Sequence, residues 1–357
     1  MSERSQADVL IRIEGRAGRI TLNRPQALNA LNHGMVVAIE AALRAWESDG
    51  RVALVVIDAA GDRAFCAGGD IAELYRRGLA GDLGAGRRFW AEEYRLNRLI
   101  RHYPKPFVAL MDGIVMGGGV GLSAHGSHRI VTERSMVAMP ECAIGLVPDV
   151  GASLLLATAP GRLGEYLGLT GFRMGAADAI LAGFADVAVA SDRLAELVAR
   201  LVEIGDPGVS EIYSMAPADA GVLAERRTVI DRLFEASDAA VLVGGLSADG
   251  SAFAAQTLEA IRKGSPLSVA ATLAIIRTVR RDPTIETALR HEYRFTFRSQ
   301  EYGDLQEGIR AAVIDKDRTP RWSVARLEDL PARRVEAMLA PLRDAELTFE
   351  DNGEERP

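Results

Sequence analysis

The sequence predicts an α/β protein whose strands are covered on both faces, followed by a helical C-terminal region. Three observations carry that expectation. Short aliphatic or β-branched runs alternate with segments of helical period through the first half of the 357 residues. Glycine-rich turns separate these segments, and the strand-like runs stop after about residue 190. Continuous apolar strands of this kind belong to sheets packed between helices.

Taken in order, residues 9–13 and 18–22 form a strand pair joined at Gly15, Arg16 and Ala17. Residues 35–46 place apolar side chains at helical spacing and stop near Gly50. Residues 52–58 and 106–111 are continuous apolar runs of strand length, with a helix at 87–102 between them. Two shorter strands follow at 129–132 and 136–139. Helices are then expected at 191–204, 221–235, 253–262, 266–281 and 285–299, with Pro207, Pro217, Gly244, Gly245 and Gly250 as breaks. The chain thus divides into a core over 1–190 that holds the site, a helical region over 191–340, and a tail over 341–357. That tail is acidic and poor in apolar residues, which predicts disorder.

Composition excludes several function classes. The chain is 48% hydrophobic and 25% charged, ordinary globular proportions. Lys+Arg 42 against Asp+Glu 49 leaves a net charge of -7, which offers a polyanion no long-range attraction and argues against a nucleic-acid partner. No run of ~18 apolar residues is present to span a membrane. Cys66 and Cys142 are too few for a disulfide framework or a cysteine-rich metal site, and the five histidines lack metal-ligand spacing. No bound metal and a reducing, cytoplasmic setting are therefore expected, and the N-terminal residues show neither an export signal nor a presequence.

Two glycine-rich loops each follow an apolar strand and precede a helix: Phe65-Cys66-Ala67-Gly68-Gly69-Asp70 and Met116-Gly117-Gly118-Gly119-Val120-Gly121. Backbone N–H groups at a helix start have no intrahelical acceptor, so two such loops can direct two donors at one oxygen. The second loop also satisfies the loose dinucleotide pattern Gly119-x-Gly121-x-x-Ala124, but the helix it opens closes near Gly126, and no organic cofactor is expected.

These loops, together with Leu22-Asn23-Arg24-Pro25-Gln26-Ala27-Leu28-Asn29-Ala30-Leu31 and the run 106–122, resemble the enoyl-CoA hydratase/isomerase (crotonase) superfamily. Within it, Met139-Pro140-Glu141-Cys142-Ala143-Ile144-Gly145-Leu146-Val147-Pro148-Asp149-Val150-Gly151 resembles the 3-hydroxyisobutyryl-CoA hydrolase family. So do Glu92-Glu93-Tyr94, Leu169-Thr170-Gly171-Phe172-Arg173 and the late run from His291-Glu292-Tyr293-Arg294 to Asp315-Lys316-Asp317. The resemblance covers residues 9–325 and implies a crotonase-like spiral of ββα units with a helical C-terminal region. It also implies an acyl-CoA substrate whose thioester oxygen lies between the N–H groups of Gly69 and Gly118. It admits a homo-oligomer as well, since superfamily members often assemble through their C-terminal helices.

The acids separate the reactions. The superfamily's hydratases use two glutamates, and the first of those positions is Gly121 here while the second is kept as Glu141. Losing one of two positioned proton-transfer groups costs ~100- to 10,000-fold in rate, so a hydratase is disfavoured. The hydrolase pattern has Gly121 and adds Asp149. Glu141 is then expected to act as general base on water or as nucleophile, and Asp149 to meet the substrate hydroxyl or to position water and Glu141. Glu93, Ala67, Asp70, Ile71 and Gly117 are the expected substrate contacts. The expected reaction is hydrolysis of an acyl-CoA thioester, 3-hydroxyisobutyryl-CoA in valine breakdown. An enoyl-CoA hydratase or isomerase, and a non-catalytic CoA-binding protein, are the alternatives.

Overall fold

The computed structural model describes residues 7–349. Strands β1 (Val9–Glu14) and β2 (Ala17–Leu22) form the expected hairpin, and α1 (His33–Glu47) follows with Asn32 accepting the Met35 N–H at 2.9 Å as its N-cap. Next come β3 (Leu54–Ala59), β4 (Ala64–Cys66), α2 (Ile71–Leu79) and α3 (Leu83–Arg101). Then β5 (Phe107–Met111), β6 (Ile114–Met116) and α4 (Gly118–Ser123) make one further ββα turn, and β7 (His128–Val131) and β8 (Met136–Ala138) begin the last. This is the spiral of ββα units expected from the sequence. Each of the last three strand pairs sends its first strand to a large sheet and its second to a small one.

The large sheet has the order β1-β2-β3-β5-β7-β9, where β9 is Val187–Ala188, and is parallel except for the first hairpin. The small sheet, β4-β6-β8, is parallel throughout. The large sheet is covered on both faces. Val55, Ile57, Phe107, Ala109 and Met111 point into the main core with α1, whereas Leu54, Val56, Val108 and Leu110 point into a second cluster. That second cluster is closed by Leu197 and Leu201 of the later helix at Leu194–Ile204. Period-two alternation therefore divides each strand between two apolar layers.

After β8 the chain is almost wholly helical. The helices are α5 (Ala152–Thr158), α6 (Leu163–Thr170), α7 (Ala176–Leu181), α8 (Leu194–Ile204), α9 (Val209–Tyr213), α10 (Leu223–Leu233), α11 (Ala239–Asp249), α12 (Ala252–Lys263) and α13 (Pro266–Arg281). After them come α14 (Ile285–Tyr302), α15 (Leu305–Ile309) and α16 (Ala332–Leu339). Helix α13 packs on α5 and α6, and α14 packs on α3 and α5, so the C-terminal helices share the main core with the ββα turns.

Short elements whose bounds the sequence does not mark appear between the expected ones, β4, β6, α2, α5, α6 and α7 among them, and two expectations come out differently. Helix α11 runs through Gly244 and Gly245, which the sequence marks as breaks. Both glycines face open space while Ala239, Leu242, Val243 and Leu246 are buried, and that burial outweighs the ~1 kcal/mol helix cost of each glycine. In the acidic tail, residues 350–357 lie outside the described residues. Before them Leu347 is buried against the main core, Leu342 and Phe349 pack beside it, and Glu346 meets Arg294 at 2.9 Å. Three spaced apolar side chains are enough to dock this stretch, although its average composition is that of a solvated segment.

Candidate active site

The three strands of the small sheet are parallel, so their C-terminal ends lie side by side. β4 leads through Ala67, Gly68, Gly69 and Asp70 into α2. β6 leads through Gly117 into α4, and β8 leads through Met139 and Pro140 to Glu141, which opens a single tight turn. A cleft of about 890 Å³, its mouth included, opens at this edge. Leu74, Phe89, Trp90, Ile144, Leu146 and Leu305 supply apolar walls.

The first glycine loop is pinned by backbone bonds: Ala67 N–H donates to Leu28 C=O at 3.0 Å, Asp70 N–H to Leu31 C=O at 2.8 Å, and Leu31 N–H to Gly68 C=O at 2.9 Å. In the second loop Gly118 is the first residue of α4, where an N–H has no acceptor within the helix. Gly117 has φ 49° and ψ −121°, a backbone conformation that side chains do not tolerate, and a Cβ there would stand 3.0 Å from Glu141 Oε1. A Cβ on Gly118 would stand 2.7 Å from Glu93 Oε1 and 3.5 Å from Gly69 N. Both glycine loops and two carboxyl groups thus meet within a few ångströms.

Four carboxylic acids are buried around this point: Glu93 is 3% exposed, Glu141 5%, Asp149 5% and Glu292 0%. Glu93 lies within the buried stripe of α3, beside Phe89, Trp90, Leu96 and Ile100. Asp149 Oδ2 accepts from Tyr94 O–H at 2.8 Å. Glu292, on α14, accepts Gly151 N–H at 2.7 Å and Ser153 N–H at 2.9 Å, together with the Ser153 hydroxyl. Among the described residues, Glu93 Oε1, Glu141 Oε2 and both amide atoms of Asn97 have no hydrogen-bond partner.

Burial raises the pKa of every one of these acids. Asp149 rises from 3.8 to about 7 even though the Tyr94 hydroxyl favours its charged form, and Glu292 rises to about 8 against the pull of the Ser153 and Gly151 donors. Glu93 and Glu141 stand well above the usual carboxylate range, first through burial and second through the Asp149 charge. The cluster therefore shares protons at neutral pH rather than carrying four charges.

A carboxyl with a raised folded-state pKa keeps its proton in the folded protein while the unfolded chain has released it. For Asp149 that happens between its ordinary 3.8 and about 7. The resulting penalty is absent well below pH 4, builds as pH rises from about 4 to about 7, and is fully present above that. Asp149→Asn keeps an oxygen for Tyr94 and removes the charge. It is expected to raise the Tm at pH 8 through a gain on the order of a few kcal/mol that fades towards pH 4. Thermal melts of both proteins across that range check it; a gain of equal size at every pH would show that Asp149 does not titrate there.

The loop that carries Asp149 is itself strained. Val150 has φ 55° and Gly151 φ 80°, and a β-branched residue in the left-handed region costs ~1 to 3 kcal/mol. The Val150 side chain lies against Gly121, where a Cβ would stand 2.7 Å from Val150 Cβ and 2.7 Å from Asn97 Nδ2. Position 121 consequently has no room for a side chain. His125, 2% exposed, donates from Nε2 to Val150 C=O at 2.8 Å, and burial lowers its pKa to about 4, so the ring is neutral. The N-terminus of α5 is capped by Glu292, not by the Asp149 carboxyl.

Of the residues singled out from the sequence, Ala67, Gly69, Ile71, Glu93, Gly117, Gly118, Glu141 and Asp149 line this one cleft. Asp70 does not. It borders an adjoining groove with His33, Glu73, Arg77 and Arg88, and its carboxylate pairs with Arg24 at 3.1 Å. Tyr94, Asn97, His125 and Glu292 are not among the site residues that the sequence marks. Glu93 and Asn97 four apart, in an otherwise apolar helical stripe, are the available signal for Asn97; Glu292 is marked only by lying in the His291-Glu292-Tyr293-Arg294 run, and its partners, 139 and 141 residues away, are not legible locally. Burial pushes the thiols of Cys66 and Cys142 up to about 12, which suits packing rather than nucleophilic attack. Among the described residues no three His, Cys, Asp or Glu side chains are grouped to hold a metal ion, and no helix is long and apolar enough to cross a membrane.

The model of the enoyl-CoA hydratase/isomerase family matches residues 17–339. The mitochondrial 3-hydroxyisobutyryl-CoA hydrolase of Gallus gallus is 41% identical over 355 residues, spanning 96% of this chain and 91% of that protein. Among solved structures, an enoyl-CoA hydratase from Rhodobacter sphaeroides 2.4.1 is 53% identical with a TM-score of 0.91, covering 96% of this chain and all of that one. A carnitinyl-CoA dehydratase from Mycobacterium thermoresistibile is 42% identical with a TM-score of 0.92, covering 97% and 100%. The curated relatives are named as mitochondrial proteins, which overturns the cytoplasmic expectation. Two free thiols describe a reducing interior and do not distinguish one such compartment from another.

Proposed function

Because the chain belongs to the enoyl-CoA hydratase/isomerase family, we propose that it is an acyl-CoA thioester hydrolase acting on 3-hydroxyisobutyryl-CoA, as the curated relatives are named to do. The observation that carries this reading is the filled space at Gly121. Val150 and Asn97 occupy the room a second catalytic glutamate would need, which leaves Glu141 beside the two glycine loops.

In this reading the thioester oxygen accepts from the N–H groups of Gly69 and Gly118, which gain strength as negative charge develops on it. Glu141 takes a proton from a water molecule as the water oxygen adds to the carbonyl carbon, or adds its own oxygen to form a mixed anhydride that water then opens. The C–S bond breaks with its electron pair leaving on the coenzyme A thiolate, a good leaving group, and the carboxylic acid product is released. Asp149, held by Tyr94, orients the substrate hydroxyl or the attacking water, and Glu93 contacts the acyl group. Ala67, Ile71 and Gly117 line the cleft that would hold the coenzyme A portion of the substrate, and Asp70 borders the groove beside it. No metal or organic cofactor takes part.

A second reading has its own support, since the 53% identical solved structure is named an enoyl-CoA hydratase. Hydration needs Asp149 to take over the role of the acid absent at Gly121. The two readings part in one assay: release of free thiol from 3-hydroxyisobutyryl-CoA, run beside loss of enoyl absorbance with crotonyl-CoA or methacrylyl-CoA. Thiol release without hydration is the expected result; hydration without thiol release sinks the hydrolase.

A further inference from the structure

The turn bearing Asp149 carries two adjacent left-handed residues, and the first of them, Val150, is of a type that avoids that conformation. Something must hold it there. Three groups from distant parts of the chain do so. His125 Nε2–H bonds the Val150 carbonyl at 2.8 Å, Glu292 accepts the next N–H, that of Gly151, at 2.7 Å, and the missing side chain at Gly121 receives the valine. Glu292 also holds Ser153 through its N–H and hydroxyl, so one carboxyl fixes the turn and the start of α5 together.

We propose that Glu292 and His125 are positioning residues that clamp the Val150–Gly151 turn and thereby aim the Asp149 carboxyl at the cleft. The Asp149 carboxyl then depends on contacts at both ends: Tyr94 from α3 holds its oxygen, and the clamp from α14 and the end of α4 holds its backbone. The helical C-terminal region acquires a part in the reaction through this contact, because α14 contributes a fully buried acid to the loop. Glutamate is required rather than glutamine. Each carboxyl oxygen faces a backbone N–H with a lone pair, and an amide would turn one of these acceptors into an NH2 donor facing that N–H.

The effect on turnover rests on the hydrolase reading, whereas the clamp itself does not. Two measurements keep these apart. Amide hydrogen exchange read by NMR is expected to show Gly151 and Ser153 protected in the parent and at least ~10-fold faster in Glu292→Gln; unchanged protection would overturn the clamp whatever the reaction. In thiol release from 3-hydroxyisobutyryl-CoA, Glu292→Gln is expected to lower kcat by about 30-fold with KM within about 3-fold, the pattern of a misaimed group rather than a lost binding contact.

Val150→Gly removes the need for a clamp, since glycine adopts φ > 0 freely. It is expected to return about 5-fold or more of kcat in the Glu292→Gln background and to give no gain in the parent. If glycine gives the same change in both backgrounds, strain at Val150 is not what Glu292 restrains. Should Glu292→Gln fail to fold, His125→Leu and His125→Gln carry the test: loss of the donor is expected to lower kcat about 10-fold and the glutamine N–H to restore most of it. Equal activity in those two variants overturns the role given to His125.

Discussion

Glu141→Gln is expected to lower thioester turnover by about 100-fold or more while acyl-CoA binding stays within a few-fold. The glutamine matches the glutamate in size, and Glu141 Oε2 has no hydrogen-bond partner among the described residues, so little structure depends on the charge. What is lost is basicity. Burial, followed by the Asp149 charge, holds the Glu141 carboxyl well above its ordinary range, so its ionised form is a stronger base than a surface glutamate. The raised pKa also means that the folded protein is penalised once pH exceeds the ordinary carboxyl range, where the unfolded chain has released a proton that the folded one keeps, and the variant is expected to melt no lower than the parent at neutral pH. Steady-state kinetics with a coenzyme A thiol readout, paired with a melt, check both halves. Turnover near that of the parent would remove Glu141 from the mechanism.

The second large effect lies at Gly121. Gly121→Glu, the change that supplies the acid of the hydratase pattern, is expected to abolish thioester hydrolysis by about 100-fold or more without creating hydration. A Cβ at 121 stands 2.7 Å from Val150 Cβ, far inside van der Waals contact, and 2.7 Å from Asn97 Nδ2. Overpacking of this kind costs ~1 to 3 kcal/mol or more, and here the yielding part is the turn next to Asp149. Parallel assays for thiol release and for loss of enoyl absorbance decide it. Gain of hydration would mean that Val150 can move aside and that the site accepts either chemistry.

The strands and helices were legible where one pattern sufficed. The hairpin at 9–22, the apolar strands that became β3 and β5, and α13, whose bounds match the expected 266–281, each follow from periodicity and a local cap or turn. The short strands β4 and β6 are not marked in the sequence, because each runs straight into a glycine-rich loop; they exist through pairing, β4 with β6 and β6 with β8. Helix α11 was hidden by Gly244 and Gly245, whose low propensity is local while the burial of Leu242, Val243 and Leu246 is not. The cleft was legible to a large extent, since the glycine loops, Glu141, Asp149 and Glu93 are each marked by the residues around them. Asp70 went the other way: it sits in a loop that borders the cleft, yet its side chain is drawn to Arg24.

The sequence by itself determined the α/β class, the family and eight of the residues that line the cleft, though not its apolar walls, because each rests on short stretches whose chemistry is self-contained: a strand, a glycine turn, an acid after a proline. Only the tertiary structure decided how those stretches act together. It brought Glu292 under Gly151 and Ser153, His125 under Val150 and Tyr94 onto Asp149, across separations of 25 to 141 residues. It also closed position 121 with a neighbour's side chain. Burial pushes the pKa of Asp149 to about 7, and burial is a property of everything packed around a group, which no local stretch of sequence records.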